Sequence, residues 1–206
     1  MIDQPAEDRQ DEHQDQLAQL MALLRDGSQD NPPRGQFPLR YKGLSGLVAL
    51  GAAAVEPLCL ALQEQDGYTR RFAAEALARI GDPRAVAPLV AALQESEVYV
   101  QRYVAGALAR VGDARAVAPL CIALGKPEIA QEALHALHAV LERTAGAVPI
   151  EDLRRVASLA DDGHAVVEVP DTDGGYLSWE QVDERLDCRP VKRLARQELE
   201  RRGLAV

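Results

Sequence analysis

The chain has few side chains of the kind that carry out chemistry, and their spacing limits what they can do. His135 and His138 stand three residues apart in a stretch of helical periodicity, so they share a face and make the best metal-like pair. Zinc takes at least three protein ligands, and no third ligand has an obvious position beside them, so a structural or surface role is expected. Arg189, Lys192, Arg193, Arg196, Arg201 and Arg202 gather near the carboxyl end as the only concentration of positive charge. They read first as a solvated face and second as an anion or nucleic-acid site. Nucleophile elbows, phosphate loops and paired catalytic carboxylates are absent from the sequence, so no catalysis and no cofactor are expected.

The elements that must position these residues are repetitive. YTRRFAAEALARIGDPRAVAPLVAAL (68–93) and YVQRYVAGALARVGDARAVAPLCIAL (99–124) superimpose without a gap at a period of 31, pairing Leu77 with Leu108, Gly81 with Gly112 and Pro88 with Pro119. A period in this range marks a stacked array in which each unit buries its apolar face against its neighbours. Phe72, Ala73, Ala76, Leu77 and Ile80 recur at helical spacing, so the unit opens with an amphipathic helix. Gly81 stops that helix, where a left-handed residue is commonly needed. Asp82 and Pro83 then suit the start of a second helix carrying Val86, Leu89, Val90 and Leu93 inward. The short turn predicts an antiparallel helix pair.

The sequence of a basic residue, a run of alanines and leucines, and then Gly-Asp-x-Arg-Ala-Val-x-Pro-Leu resembles HEAT repeats of the short, phycobilisome-lyase (E-Z) type. The resemblance implies an all-α fold, a right-handed α-α superhelix, with Asp82, Arg84, Asp113 and Arg115 forming an inter-repeat ladder of charged hydrogen bonds. HEAT-type hydroxylases that bind iron use repeated His-Glu pairs, and no His-Glu dipeptide occurs here. Phycobilin lyases use this repeat, which makes a bilin-lyase-like enzyme subunit an alternative reading; fold alone does not fix function.

Weaker copies extend the array. Leu47, Leu50, Gly51, Val55, Pro57, Leu58 and Leu62 repeat the pattern with a shortened turn. Ala133, Leu137 and Val140, followed by Ile150, Leu153 and Ala157, repeat it with a longer one. Residues 191–203 resemble another first helix, through Val191, Leu199 and Gly203, and close the array as a polar cap. At the other end Leu17, Leu20, Met21 and Leu24 make an amphipathic capping helix behind an acidic leader, with a loop over 27–39. The expected organisation is therefore leader, cap and loop over 1–39, repeats over 40–162, and an insertion with capping helices over 163–206.

Residues 163–180 break the pattern. Their β-branched run, turn and second apolar stretch predict a small β-hairpin-like insertion, and Ser178 with Gln181 predicts a capping box for a helix through Leu186. The stretch also resembles a calcium loop of the EF-hand kind. It lacks a residue between Gly174 and Gly175, has Gln181 where a bidentate Glu is needed, and has no entering helix, so Asp171 and Asp173 are read as turn residues and no metal is expected.

The net charge of −9 argues against general nucleic-acid binding, and only 4% aromatic content means a core of Ala, Leu and Val. The amino-terminal stretch is acidic, and no stretch is expected to approach the roughly 18 apolar residues that span a bilayer, so no membrane partner and a cytoplasmic location are expected. Cys59 and Cys121 lie two units apart, ~20 Å by helix spacing, beyond disulfide reach. Both are expected in the core, with Cys188 a lone thiol.

If Val86, Leu89, Val90 and Leu93 face inward, Ala87, Ala91 and Gln94 face out. The equivalents are Glu56, Leu60 and Gln63 before them, Ala118, Ile122 and Gly125 after them, and Glu151, Arg155 and Ser158 in the last unit. In HEAT-like arrays these second helices line the concave side. The expected function is a non-catalytic scaffold or adaptor, monomeric or weakly homodimeric, that binds a helix or peptide of a protein partner on that strip. Nucleic-acid binding through the basic terminal helix is a further alternative.

Overall fold

Alanine, leucine and valine at helical spacing make every regular element among the described residues a helix. The computed structural model describes residues 6–27, 39–95, 97–159 and 187–204. The predicted hairpin of 163–180, with Asp171, Asp173 and the capping box, lies outside them, as does most of the 27–39 loop. The chain divides into two units, Met1–Asp82 and Pro83–Val206.

The first unit holds α1 (Ala6–Arg25), α2 (Leu39–Leu50), α3 (Val55–Ala61) and α4 (Gly67–Ile80). Helix α1 lies on α2, and α2 and α3 both pack on α4. The crossing of α1 and α2 is close because the residue facing it is Gly43, where a Cβ would come within 2.8 Å of the Leu24 nitrogen and 2.9 Å of the Leu20 oxygen. Met21 and Leu24 are buried there as the capping role requires. Asp66 starts α4 by accepting a hydrogen bond from the Thr69 backbone N–H at 2.9 Å. Arg40 is the buried charge of this unit. Its guanidinium donates to the Leu24 carbonyl (2.8 Å) and to Thr69 Oγ1 (3.0 Å), and pairs with Asp66 at 2.9 Å, so one side chain ties the end of α1 to the start of α4.

The run Leu39–Ala61 corrects one expectation. It is 23 residues long, its most apolar stretch has a mean hydropathy of 1.8, and by length and composition it could cross a membrane. Short polar interruptions hid this run in the sequence. Gly51, at φ 59°, breaks it into α2 and α3, and the apolar residues Leu44, Leu47, Val55 and Leu58 are buried within the unit.

The second unit holds α5 (Val86–Glu95), α6 (Val98–Val111), α7 (Val117–Ala123), α8 (Ala130–Thr144), α9 (Ile150–Ala157) and α10 (Arg189–Arg201). The closest packing runs from one pair to the next: α5 on α6, α7 on α8, α9 on α10, with α6 on α8 and α8 on α10. Leu89, Leu93, Leu108, Leu120, Leu137, Leu141 and Leu199 are fully buried at these crossings. Each contributes ~2 kcal/mol, so the array is held together mainly by burial between repeats. Ile150, expected inward, is 36% exposed, because Val148, Leu153 and Val156 already fill the core at the start of α9. Cys59 and Cys121 are half-buried, at the edge of the core.

Candidate partner-binding face

Helix α7 packs against both α5 and α9, so the second helices of this unit form one layer. Their inward faces carry Val86, Leu89, Leu93, Val117, Leu120, Leu153 and Val156, all buried. Helical geometry then turns the alternate residues outward. Ala87, Ala91 and Gln94 on α5 are exposed, as are Ile122 on α7 and Glu151 and Arg155 on α9, while Ala118 is half-buried. Ile122 is 60% exposed, more than any other large apolar side chain described in this unit. In the first unit, Glu56 and Leu60 on α3 and Gln63 in the turn after it are also exposed, Leu60 to 69%.

The chemistry of the layer is that of contact surface. The Arg155 guanidinium lies 3.4 Å from Asp152 in a mostly solvated pair. Beside Ile122, burial pushes the Cys121 thiol up to about 12, so it stays protonated and unreactive at neutral pH. Burial also raises Cys188. His135 is exposed, and His138 reaches only Glu142, at 3.8 Å. Among the described residues no three His, Cys, Asp or Glu side chains gather to hold a metal ion.

Of the four charged groups expected to form a ladder, Asp113 and Arg115 bond to each other. Asp113 accepts from both the backbone N–H (2.9 Å) and the guanidinium (2.7 Å) of Arg115, two residues on, and these bonds hold its carboxyl below the usual range. The leg that crosses to the preceding turn is the Arg115 bond to the Pro83 carbonyl, 3.2 Å. Other arginines stitch helix ends together. Arg143 on α8 donates to the Ala109 and Gly112 carbonyls at the end of α6, at 2.8 and 3.1 Å. Arg202 donates to Ala145, Gly146 and Val148 carbonyls after α8. Both satisfy acceptors that a helix end leaves unpaired. Sequence reading missed Arg40, Arg143 and Arg202 in this role, since a surface arginine and a stitching arginine carry the same periodic signature.

The repeat family follows from this packing of helix pairs at a fixed period. Residues 55–144 match the family of HEAT repeats. Over those residues the chain is a HEAT-repeat array. A stretch of 67 residues, 32% of the chain, is 42% identical to phycocyanobilin lyase subunit alpha of Picosynechococcus sp.. The match spans only a quarter of that relative's length (25%).

Proposed function

We propose that the exposed layer of second helices in this HEAT array docks a helix or extended segment of a partner protein, and that the chain works as a non-catalytic adaptor. Ile122 carries the reading. A β-branched apolar side chain held 60% exposed contributes little to the packing of α7, whose core is filled by Val117, Leu120 and Ala123. The small side chains of Ala87, Ala91 and Ala118 beside it leave a shallow apolar surface on which a partner's helix can lie closely, and Glu151 and Arg155 supply a polar rim. In the first unit, taken by itself, Leu60 with Glu56 and Gln63 offers a separate exposed apolar contact. The adaptor acts without a cofactor, as a monomer or weak homodimer, in the cytoplasm.

The test is capture of partners by the intact chain and by Ile122→Glu, Leu60→Glu and the double variant, with affinity measured for the captured protein. The double variant keeps its stability within about 1 kcal/mol, because exposed substitutions do little. It binds at least about tenfold more weakly. Undiminished affinity would move the site off this layer.

The likeness to a phycocyanobilin lyase subunit favours a second reading, in which the chain is one subunit of a chromophore-handling enzyme. Its test is direct: phycocyanobilin added to the protein changes its visible spectrum under this reading, and keeps the spectrum of the free pigment if the chain is an adaptor only.

A further inference from the structure

The last helix sorts its basic residues into two groups. Arg201 and Arg202 are structural. Glu198, buried between them, accepts from both guanidinium groups at 2.7 Å, and Arg202 also reaches back to the carbonyls after α8. Arg189 closes on Asp187 at 2.7 Å. Arg193 and Arg196 are exposed and make no hydrogen bond or ion pair among the described residues. They line a surface concavity of about 290 Å³ together with Arg189, Lys192, Gln197 and Glu200. The opposite side of the helix, through Val191, Ala195 and Leu199, is fully buried, so the two free guanidiniums ride on a rigid support.

We propose that this face of α10 is a docking site for an acidic, extended segment of a partner protein, with carboxylates on alternate residues. Arg193 and Arg196 stand one turn apart, their Cβ atoms ~5–6 Å from each other. Residues i and i+2 of an extended chain are ~6.5 Å apart and point the same way, so consecutive outward carboxylates fit the two forks. Gln197 adds an amide that can meet the segment's backbone. A nucleic acid fits less well, because its affinity comes from many phosphate contacts along a cationic track. Here two free cations are followed by Glu200, which repels a continuous polyanion and tolerates a segment whose charges are spaced. The chain carries a net charge of −9, so the attraction is confined to this face.

The probe is a fluorescein-labelled peptide of alternating Asp and Ala, titrated with the full chain and read by fluorescence anisotropy. Saturable binding is expected that weakens with added salt and falls at least about tenfold in Arg193→Gln/Arg196→Gln, with melting temperature unchanged. The corresponding Asn-Ala peptide should not bind. The proposal is overturned if the wild-type chain shows no saturable binding, if the double variant binds equally well, or if a single-stranded oligonucleotide of the same charge binds more tightly. The Ile122→Glu chain should bind the peptide normally, which keeps this test separate from that of the α5–α7–α9 layer.

Discussion

Helices α4 and α6 are the two best copies of the repeat, each of 14 residues, each ending on a glycine whose N–H bonds to the leucine four residues back. The two glycines are needed for different reasons. Gly81 sits at φ 76°, ψ 17°, the left-handed cap that the sequence pattern predicts, and a Cβ added there would touch nothing within 4 Å. Gly112 sits at φ −60°, ψ 147°, which any residue adopts, but a Cβ there would strike the Leu108 carbonyl and come within 2.9 Å of Val140 Cγ2 on α8. The neighbours account for the difference. Arg143 reaches across from α8 to satisfy the Ala109 and Gly112 carbonyls, so the chain leaves α6 without a left-handed turn, and the close approach of α8 leaves no room for a side chain. Two identical letters in aligned repeats thus answer one conformational and one steric demand.

Where the copies are equivalent, mutations should agree. Leu77 and Leu108 are both fully buried, so Leu77→Asp and Leu108→Asp each place an unpaired charge in the core. Each should cost at least ~4 kcal/mol and abolish cooperative melting by circular dichroism. A folded, near-normal variant at either site would break the equivalence.

At the glycines the copies should diverge. Gly112→Ala overpacks the α6–α8 contact and should cost about 2–3 kcal/mol in urea unfolding. Gly81→Ala meets open space and suffers only the left-handed backbone, a net loss of about 1 kcal/mol. Equal losses would mean that both ends are governed by handedness. Gly106 sharpens the comparison with the opposite sign. It lies exposed in the middle of α6 where α4 has Glu75, with nothing within 4 Å of a new Cβ, so Gly106→Ala should stabilise the protein by about 0.5–1 kcal/mol.

The closing helix gives a comparison in pH rather than in sequence. Hydrogen bonds from Arg201 and then Arg202 bring the Glu198 carboxyl down from its ordinary 4.5 to about 2. A depressed acid stabilises the fold above its unfolded value and loses that contribution as pH falls through its folded value. Wild-type melting temperature should therefore drop relative to Glu198→Gln between pH 4.5 and about 2, and the two curves should run parallel below that window. A constant difference across the window would show that the two arginines do not hold the carboxylate.

Legibility in the sequence followed the range of the interaction. The helical period, the inward leucines and the outward Ala87, Ala91 and Ile122 were readable because each depends on residues three or four apart on one helix, where geometry is set by the backbone itself, and the repeat of 31 was readable because it copies that pattern. The exposure of Leu60 and Ile122 came from the same rule. Whether a partner occupies those positions is a property of two molecules and has no periodic signature.

Tertiary structure decided the rest. Which arginines stitch helix ends and which stay free was fixed by what lies opposite them: Arg143 meets the end of α6, Arg202 the turn after α8, and Arg193 and Arg196 meet solvent. The steric need for Gly112 likewise depends on a neighbour distant in the chain, Val140 on α8. One chain by itself determines the period of its helices, because that period is local; the role of a charge or a glycine is set by the surface brought against it, and only folding brings that surface there.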